Sequence, residues 1–439
     1  MRKGYHDLLR REILELIPAT AKSILDLGCG AGNLGAALKK RQDCRVTGIE
    51  LNKEAATIAA KNLDVCICDN LNRYVPPAPH IKYDALILAD ILEHLISPWT
   101  VLKKFTSVLA DDGVVIASVP NVAHPRILSN LNAGLFRYEP AGILDITHLR
   151  FFTKTSIFQL FTQCGLKIVN FRPWPSAENP VQYHVTAIKP LVEHKQPAVT
   201  ILILTCNGWE YTKQCIDSIK KNTHTPYKIL AIDNGSTDGT VEELRKDRTI
   251  FHIENSYNLG MGRGFNIGMM LIDTPYFVLA NNDTVVTEDW LNKMLYHINE
   301  DDKLLILGPR SNYVSGPQLI KDVPYTTADS LESYAKYYLP REEREITYFP
   351  RIVFFFVLLK SAALQKVGFF DEIFGLGNFE DDDYCIRTAK AGYAAAFDNT
   401  VFIHHFGSTT FKINKIDYAK IMAENKAKFE RKWKPEAKG

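Results

Sequence analysis

Apolar residues along this chain fall in short runs, and between the runs they recur every third or fourth position. The first pattern predicts buried strands and the second amphipathic helices. The opening series starts with a helical pattern near residues 5–17. Strand-like runs follow near 23–27, 45–49, 84–88 and 113–119, with helical stretches between them at about 33–41, 53–62 and 98–109. Such alternation predicts a parallel sheet covered by helices on both faces. Residues 166–172 and 183–188 read as a hairpin that closes the sheet.

The pattern then breaks. Residues 189–197 hold two prolines, mixed charge and no periodicity, as a linker would. A second series opens at once with a strand over Val199–Leu204, then a helix at 209–221, a strand at 228–232, a helix at 239–246 and a strand at 276–280. Residues 415–432 read as a basic amphipathic helix. The expectation is an α/β chain of two domains, 1–188 and 198–439, joined by 189–197.

Composition narrows the picture only slightly. The chain has 439 residues, 46% of them hydrophobic and 23% charged, which suits two separate cores. Lys and Arg exceed Asp and Glu by two, so nucleic acid is not an expected partner. Eight scattered cysteines form no CxxC pair, which argues for free thiols in a reducing compartment. The N-terminus lacks a signal-peptide core, and the most apolar stretch, Ile352 to Leu359, is too short to span a bilayer. These features predict a cytoplasmic protein. The basic C-terminal stretch predicts a solvated helix face, with peripheral contact to an anionic membrane as the alternative.

The first chemical signal is Asp26-Leu-Gly-Cys-Gly-Ala-Gly-Asn33. A strand runs into Gly28, Gly30 and Gly32 and then into a helix, so the backbone turns sharply and offers amides to an anionic group. Asn33 stands where a dinucleotide fingerprint needs its third glycine, which counts against NAD. Glu50 ends the next strand, where an acid accepts ribose hydroxyls, and Asp69 follows a third candidate strand. This set resembles class I S-adenosylmethionine-dependent methyltransferases. The resemblance implies a Rossmann-like methyltransferase fold with S-adenosylmethionine as methyl donor. By it, Asp26, Gly28 and Gly30 flank the amino-acid end of the cofactor, Glu50 holds the ribose and Asp69 the adenine.

Asp90, Glu93 and His94 share a face if they lie on one helical turn. They resemble a segment of small-molecule O-methyltransferases related to ubiquinone biosynthesis, where such a trio holds a divalent cation or supplies a base. Asp90 is thereby also grouped with the cofactor-binding residues, and His94 is the candidate base. A helix cap and a structural histidine are the plainer alternative. Asp145, His148 and Arg150 are characteristic of the same group and are candidate acceptor-site residues, or else a charge-paired loop.

In the second series, small polar residues end the strand at Thr205. Asp233 ends the next strand and precedes Ser236. Asn258 opens a glycine-punctuated loop, Asp283 closes Asn281-Asn282-Asp283, and Glu380 to Asp383 set four acids in a row at a helix start. A carboxylate at position 283 suits a hard divalent cation on a diphosphate. These motifs, in this order, resemble family 2 glycosyltransferases of the GT-A fold. The resemblance implies a nucleotide-sugar donor bound by Thr205, Asp233, Ser236, Asn258 and Asp283, and inverting transfer to a glycan or glycoconjugate, lipid-linked in one setting. It makes Asp381 the general base beside Glu380, and Asp283 with His404 the holders of Mg2+ or Mn2+, with His405 the rival histidine. The departures are a motif with one carboxylate at 281–283 and a bulky Phe354–Leu359 run. The resulting expectation is a bifunctional glycan-assembly enzyme that transfers a sugar and O-methylates a sugar hydroxyl. The alternative keeps only the glycosyltransferase active, with the first domain recognising the acceptor.

Overall fold

The computed structural model describes residues 10–76, 81–191, 196–339, 345–407 and 409–433, with the side chains of Ala328 and Tyr338 undescribed. The chain divides into two compact units, Met1–Leu191 and Val192–Gly439.

The first unit contains α1 (Arg11–Leu14), β1 (Ser23–Leu27), α2 (Asn33–Arg41), β2 (Arg45–Glu50), α3 (Lys53–Asn62), β3 (Val65–Cys68), β4 (Tyr83–Ala89), α4 (Pro98–Thr106), β5 (Leu109–Pro120), α5 (Pro125–Asn132), α6 (Lys154–Gln163), β6 (Lys167–Trp174) and β7 (Gln182–Ile188). Its seven strands run in the order β3-β2-β1-β4-β5-β7-β6. β1 to β5 are parallel, while β7 pairs antiparallel with both β5 and β6, so the expected hairpin is present. Helix α1 is one turn long; residues 5–9 of the helix expected there lie outside the described residues. Chain order reverses between β1 and β4. That leaves a crevice at the carboxyl ends of the strands, where open α/β sheets take ligands. Ile24, Val46, Ala85, Ile87 and Ile116 pack beneath it in one core.

The second unit contains β8 (Val199–Thr205), α7 (Trp209–Asn222), β9 (Tyr227–Asp233), α8 (Thr240–Lys246), β10 (Phe251–Glu254), α9 (Met261–Met269), β11 (Tyr276–Asn281), β12 (Thr284–Val286), α10 (Trp290–Asn299), β13 (Leu304–Arg310), α11 (Ala328–Ser333), β14 (Ile346–Tyr348), β15 (Phe356–Lys360), α12 (Ala362–Lys366), α13 (Glu380–Lys390), β16 (Ala394–His405), α14 (Thr409–Ile413) and α15 (Tyr418–Trp433). The sheet order is β10-β9-β8-β11-β15-β13-β16-β12, with β14 on β16. The chain order again reverses beside β8, between it and β11. The apolar run at 354–359 is explained by burial: β15 lies inside the sheet, between β11 and β13. No helix among the described residues is long and apolar enough to cross a membrane.

Candidate functional site

In the first unit, β1 ends where the glycines begin. Gly28 has φ +82°, and a Cβ there would stand 2.7 Å from the Ile91 Cδ1, so both backbone and space require glycine. Its N–H donates to the Ile49 carbonyl at 2.8 Å, which draws the loop over the end of β2. The Glu50 carboxylate then accepts from the Gly30 N–H at 2.9 Å and from the Asn52 N–H at 2.8 Å. Each oxygen keeps a further lone pair for a ligand. Asp26 is buried below, and burial, then the charge of Glu50, pushes its pKa up to about 7. Asp69 lies half-buried after β3, with its backbone N–H on the Glu50 carbonyl. Asp26, Gly28, Gly30, Glu50 and Asp69 are therefore gathered at the carboxyl ends of β1, β2 and β3.

Asp90 follows β4 in the left-handed region, at φ +51°. Its backbone N–H donates to the Ser118 hydroxyl, which donates back to the carboxylate at 2.7 Å, and Arg10 pairs with the other oxygen. Asp90 is thus turned away from the face it was expected to share. Glu93 and His94 sit in a 3-10 turn rather than an α-helix, which removes the i, i+3, i+4 argument. They meet His148 instead, with donor atoms of the three residues all within 4.8 Å of one another. Burial pushes the Glu93 pKa up to about 8 and holds both histidines below their ordinary value. Asp145 caps its own turn by accepting from the Thr147 N–H and hydroxyl. Arg150 donates to the carbonyls of Leu149 and Ile96, so its guanidinium shapes the loop.

In the second unit, one cavity of about 840 Å³ opens at the carboxyl end of the sheet. Thr205, Asn258, Asp283, Glu380 and Asp381 line it, together with Arg351, His405, Thr409, Tyr418 and Met422. Asp233 and Ser236 lie behind this wall. The Asp233 carboxylate accepts from the N–H groups of Gly235 and Ser236, and burial pushes its pKa up to about 6. The Ser236 hydroxyl accepts from the Asn207 N–H at 2.7 Å. The Thr205 hydroxyl is shared with Thr212 and Asn282 in a buried network. Asn234 holds the 258–260 loop by donating to the Asn258 side chain and the Gly260 carbonyl.

Register decides the metal candidates. β12 pairs antiparallel with β16 so that Thr284 faces His405 and Val285 faces His404. Successive side chains on a strand point to opposite faces. His405 Nε2 therefore comes within 3.1 Å of Asp283 Oδ1, while His404 Nδ1 turns to the Tyr325 hydroxyl at 2.7 Å. Burial, then the neighbouring His405, pushes the His404 pKa down to about 4. The pairing of His404 with Asp283 is corrected to His405. The Tyr313 carbonyl fixes the other nitrogen of His405, and Phe355 stacks on its ring at 5.0 Å. Burial would raise the Asp283 pKa, but His405 and the Thr409 hydroxyl at 2.6 Å hold it below the ordinary range. Asn282 donates to the Thr212 hydroxyl at 2.9 Å, and Asp283 is the carboxylate of that turn at the cavity.

The four acids of α13 part company. Asp383 is fully buried against Arg387, Lys432 and Trp433, and Asp382 pairs with Arg351. Asp381 accepts from the Phe354 N–H at 3.3 Å and the Asp382 N–H at 2.9 Å. Glu380 is 3% exposed, and its Oε2 lacks a partner among the described residues. Burial raises both pKa values. For Glu380 the Asp381 charge adds to it; for Asp381 the Asp382 charge adds and Arg351 subtracts. Arg351, Thr409 and the packing of α15 carried no signal in the sequence, because each acts across more than twenty residues. His405 was legible as one of two neighbours.

Residues 1–170 match the family model described as Methyltransferase domain, and residues 200–365 match Glycosyl transferase family 2. An uncharacterized glycosyltransferase of Haemophilus influenzae is 31% identical over 26% of this chain and 36% of its own length. The glycosyltransferase GlyG of Streptococcus pneumoniae is 22% identical over 26% of this chain and 40% of its own. Hyaluronan synthase of Pasteurella multocida is 23% identical over 47% of this chain and 24% of its own. The chain thus spans less than half the length of each of these relatives. Among solved structures, the mannosyltransferase PcManGT from Pyrobaculum calidifontis, in complex with GDP-Man and Mn2+, has 16% identity and a TM-score of 0.38, over 54% of this chain and 67% of that one. Magnesium protoporphyrin IX methyltransferase from Synechocystis, with bound SAH, has 16% identity and a TM-score of 0.33, over 42% and 84%.

Proposed function

Because the chain joins a methyltransferase domain of Rossmann-like fold to a family 2 glycosyl transferase domain of GT-A fold, we propose that it is a bifunctional glycan-assembly enzyme. The second unit transfers a sugar, with inversion, from a nucleotide-sugar donor to a glycan or glycoconjugate acceptor. The first unit transfers a methyl group from S-adenosylmethionine to a sugar hydroxyl. The observation that carries the first half is the meeting of Asp283–His405 and Asp381 around one cavity. Asp283 and His405 would hold a divalent cation, whose positive charge would offset the negative charge of the donor's diphosphate. Asp381 takes the proton of the attacking hydroxyl, and direct attack inverts the anomeric carbon. The backbone N–H of Phe354 aims the carboxylate, and Arg351 keeps it ionised at a lower pH than burial alone would allow.

For the methyl half, support comes from Glu50, whose two oxygens are oriented by backbone N–H groups at the end of β2. A fixed pair of acceptors at the end of that strand suits ribose hydroxyls. S-adenosylmethionine, when bound, supplies an electrophilic methyl group. His94, beside Glu93 and His148, removes the acceptor proton. The test is a pair of assays on one protein: calorimetric titration with S-adenosylmethionine, and transfer from a panel of nucleotide sugars. Asp381→Asn should lower sugar transfer by roughly 10²–10⁴-fold and leave S-adenosylmethionine binding intact. Full sugar transfer by that variant removes Asp381 as the base.

A further inference from the structure

Two stretches far apart in the first unit meet at Glu93, His94 and His148. Glu93 and His94 come from the turn after β4, and His148 from the loop before α6. The Glu93 carbonyl laces them together, accepting the N–H of Leu149 at 2.8 Å and of Arg150 at 3.0 Å. The Glu93 side chain is the exception to this order. It is 1% exposed, and neither carboxyl oxygen has a hydrogen-bond partner among the described residues. Buried polar groups are nearly always satisfied, so an orphaned carboxyl points to an occupant.

The histidines face the same occupant. His94 Nδ1 lies 3.2 Å from the Thr147 carbonyl oxygen, and His148 Nδ1 lies 3.0 Å from that of Ile143. A carbonyl can only accept, so each Nδ1 carries the proton and each Nε2 keeps its lone pair. The His94 Nε2 is buried without a partner among the described residues. One ring nitrogen oriented by a carbonyl, with the other left for an ion, is how metal-ligating histidines are held.

We propose that Glu93, His94 and His148 bind a divalent transition-metal ion of the zinc class, through both Nε2 atoms and a Glu93 oxygen. Two imidazoles and one carboxylate favour such an ion over Mg2+ or Ca2+, which take oxygen donors. Three protein ligands leave a position open for water or substrate. Donors about 2.1 Å from an ion in tetrahedral geometry stand roughly 3.4 Å apart, closer than the 4.8 Å that bounds the cluster here. The unpartnered Glu93 carboxyl supplies the closing movement. Asp90 is not a ligand, since Ser118 and Arg10 already hold it. With the ion bound, His94 is a ligand and no longer the base, and the ion would instead make an acceptor hydroxyl more acidic, a role that rests on the methylation reading; ion binding itself does not.

The test uses the full chain, stripped with a chelator and titrated with Co2+ as a coloured probe. A visible band should saturate at one equivalent, and equimolar Zn2+ but not Mg2+ should abolish it. Glu93→Gln and His148→Ala should each weaken Co2+ binding by at least about tenfold, while Asp283→Asn in the second unit leaves the band in place. S-adenosylmethionine titration and thermal melts of the same variants show that the first unit is folded. If His148→Ala is unfolded, Glu93→Gln decides. An unchanged band in Glu93→Gln, or displacement by equimolar Mg2+, overturns the site. Failure of the intact chain to bind S-adenosylmethionine, with Co2+ bound as described, removes the methylation reading and leaves the metal site standing.

Discussion

Arg351 acts on two acids, one by contact and one through its charge, and so sets the charge state of the cavity wall. It pairs with Asp382 and lowers the Asp381 pKa, against burial and the Asp382 charge, which raise it. A carboxylate base works only when ionised, so sugar transfer should fall as pH drops through this raised pKa. Arg351→Met removes that cationic influence. The acid limb of the kcat/KM profile should then move to higher pH, and an unmoved limb would separate Arg351 from the base. In the first unit, Glu50→Gln keeps an oxygen for one backbone N–H and loses an acceptor for a ribose hydroxyl. S-adenosylmethionine affinity should weaken by about 1–3 kcal/mol, the cost of an unmade buried hydrogen bond. Calorimetry measures it, and the melting curve checks that the fold is kept.

At the scale of elements, α15 does more than present a solvated basic face. Asn425 is 2% exposed and donates to the carbonyls of Phe374 and Gly377, both at 2.6 Å. Phe429 packs on Phe379 at 5.3 Å, and Trp433 donates to Asp383 at 2.9 Å. These contacts grip the loop that enters α13, where Asn378 and Phe379 both stand at φ +75°. Left-handed backbone at such residues costs about 1–3 kcal/mol and persists only when its surroundings hold it. Asn425→Ala should lower kcat for sugar transfer more than it raises donor KM, with partial recovery in Asn425→Gln. Equal effects on both would make the helix merely structural. The same loop passes over Gly260, where a Cβ would stand 1.9 Å from the Gly375 carbonyl oxygen. Gly260→Ala should therefore disrupt the cavity wall, seen as lost nucleotide-sugar binding together with a lowered melting temperature. The amphipathic pattern of 415–432 was legible. What it packs on was not, because Asn425 and Phe429 meet residues about fifty positions earlier.

At the scale of the molecule, each unit has its own sheet and its own apolar core. Ligands stabilise only the fold they bind. S-adenosylmethionine should raise one melting transition and a nucleotide diphosphate with Mn2+ the other; a single transition raised equally by both would contradict separate sites. The second unit also carries a buried charge of its own. His297 donates to Asp398 at 2.7 Å and faces Glu345 at 3.1 Å, and the Asp398 hydrogen bond raises its pKa to about 9 against burial. Its folded pKa thus exceeds the ordinary 6.5. The stability this triad gives is complete below that value and is lost as pH rises through about 9. Denaturant unfolding of the intact chain against pH should show this decline, and His297→Gln should flatten it.

Features that depend on neighbours along the chain can be read before it folds. A glycine loop after a strand is legible because positive φ and close approach exclude other residues, as at Gly28. The alternation of buried runs and amphipathic helices is legible because burial imposes the periods of strand and helix. Features that depend on register and on distant partners emerge with the folded chain. It chose His405 over His404, because β12 pairs with β16 in one register and a strand's side chains alternate. It separated the four acids of α13, because Arg351 pairs with Asp382 while α15 reaches Asp383. It joined Glu93 and His94 to His148 and set Asp90 aside, because the expected helical face is a 3-10 turn and the loop before α6 folds back onto it. Local backbone rules write themselves into short stretches of sequence; contacts across fifty or a hundred residues do not.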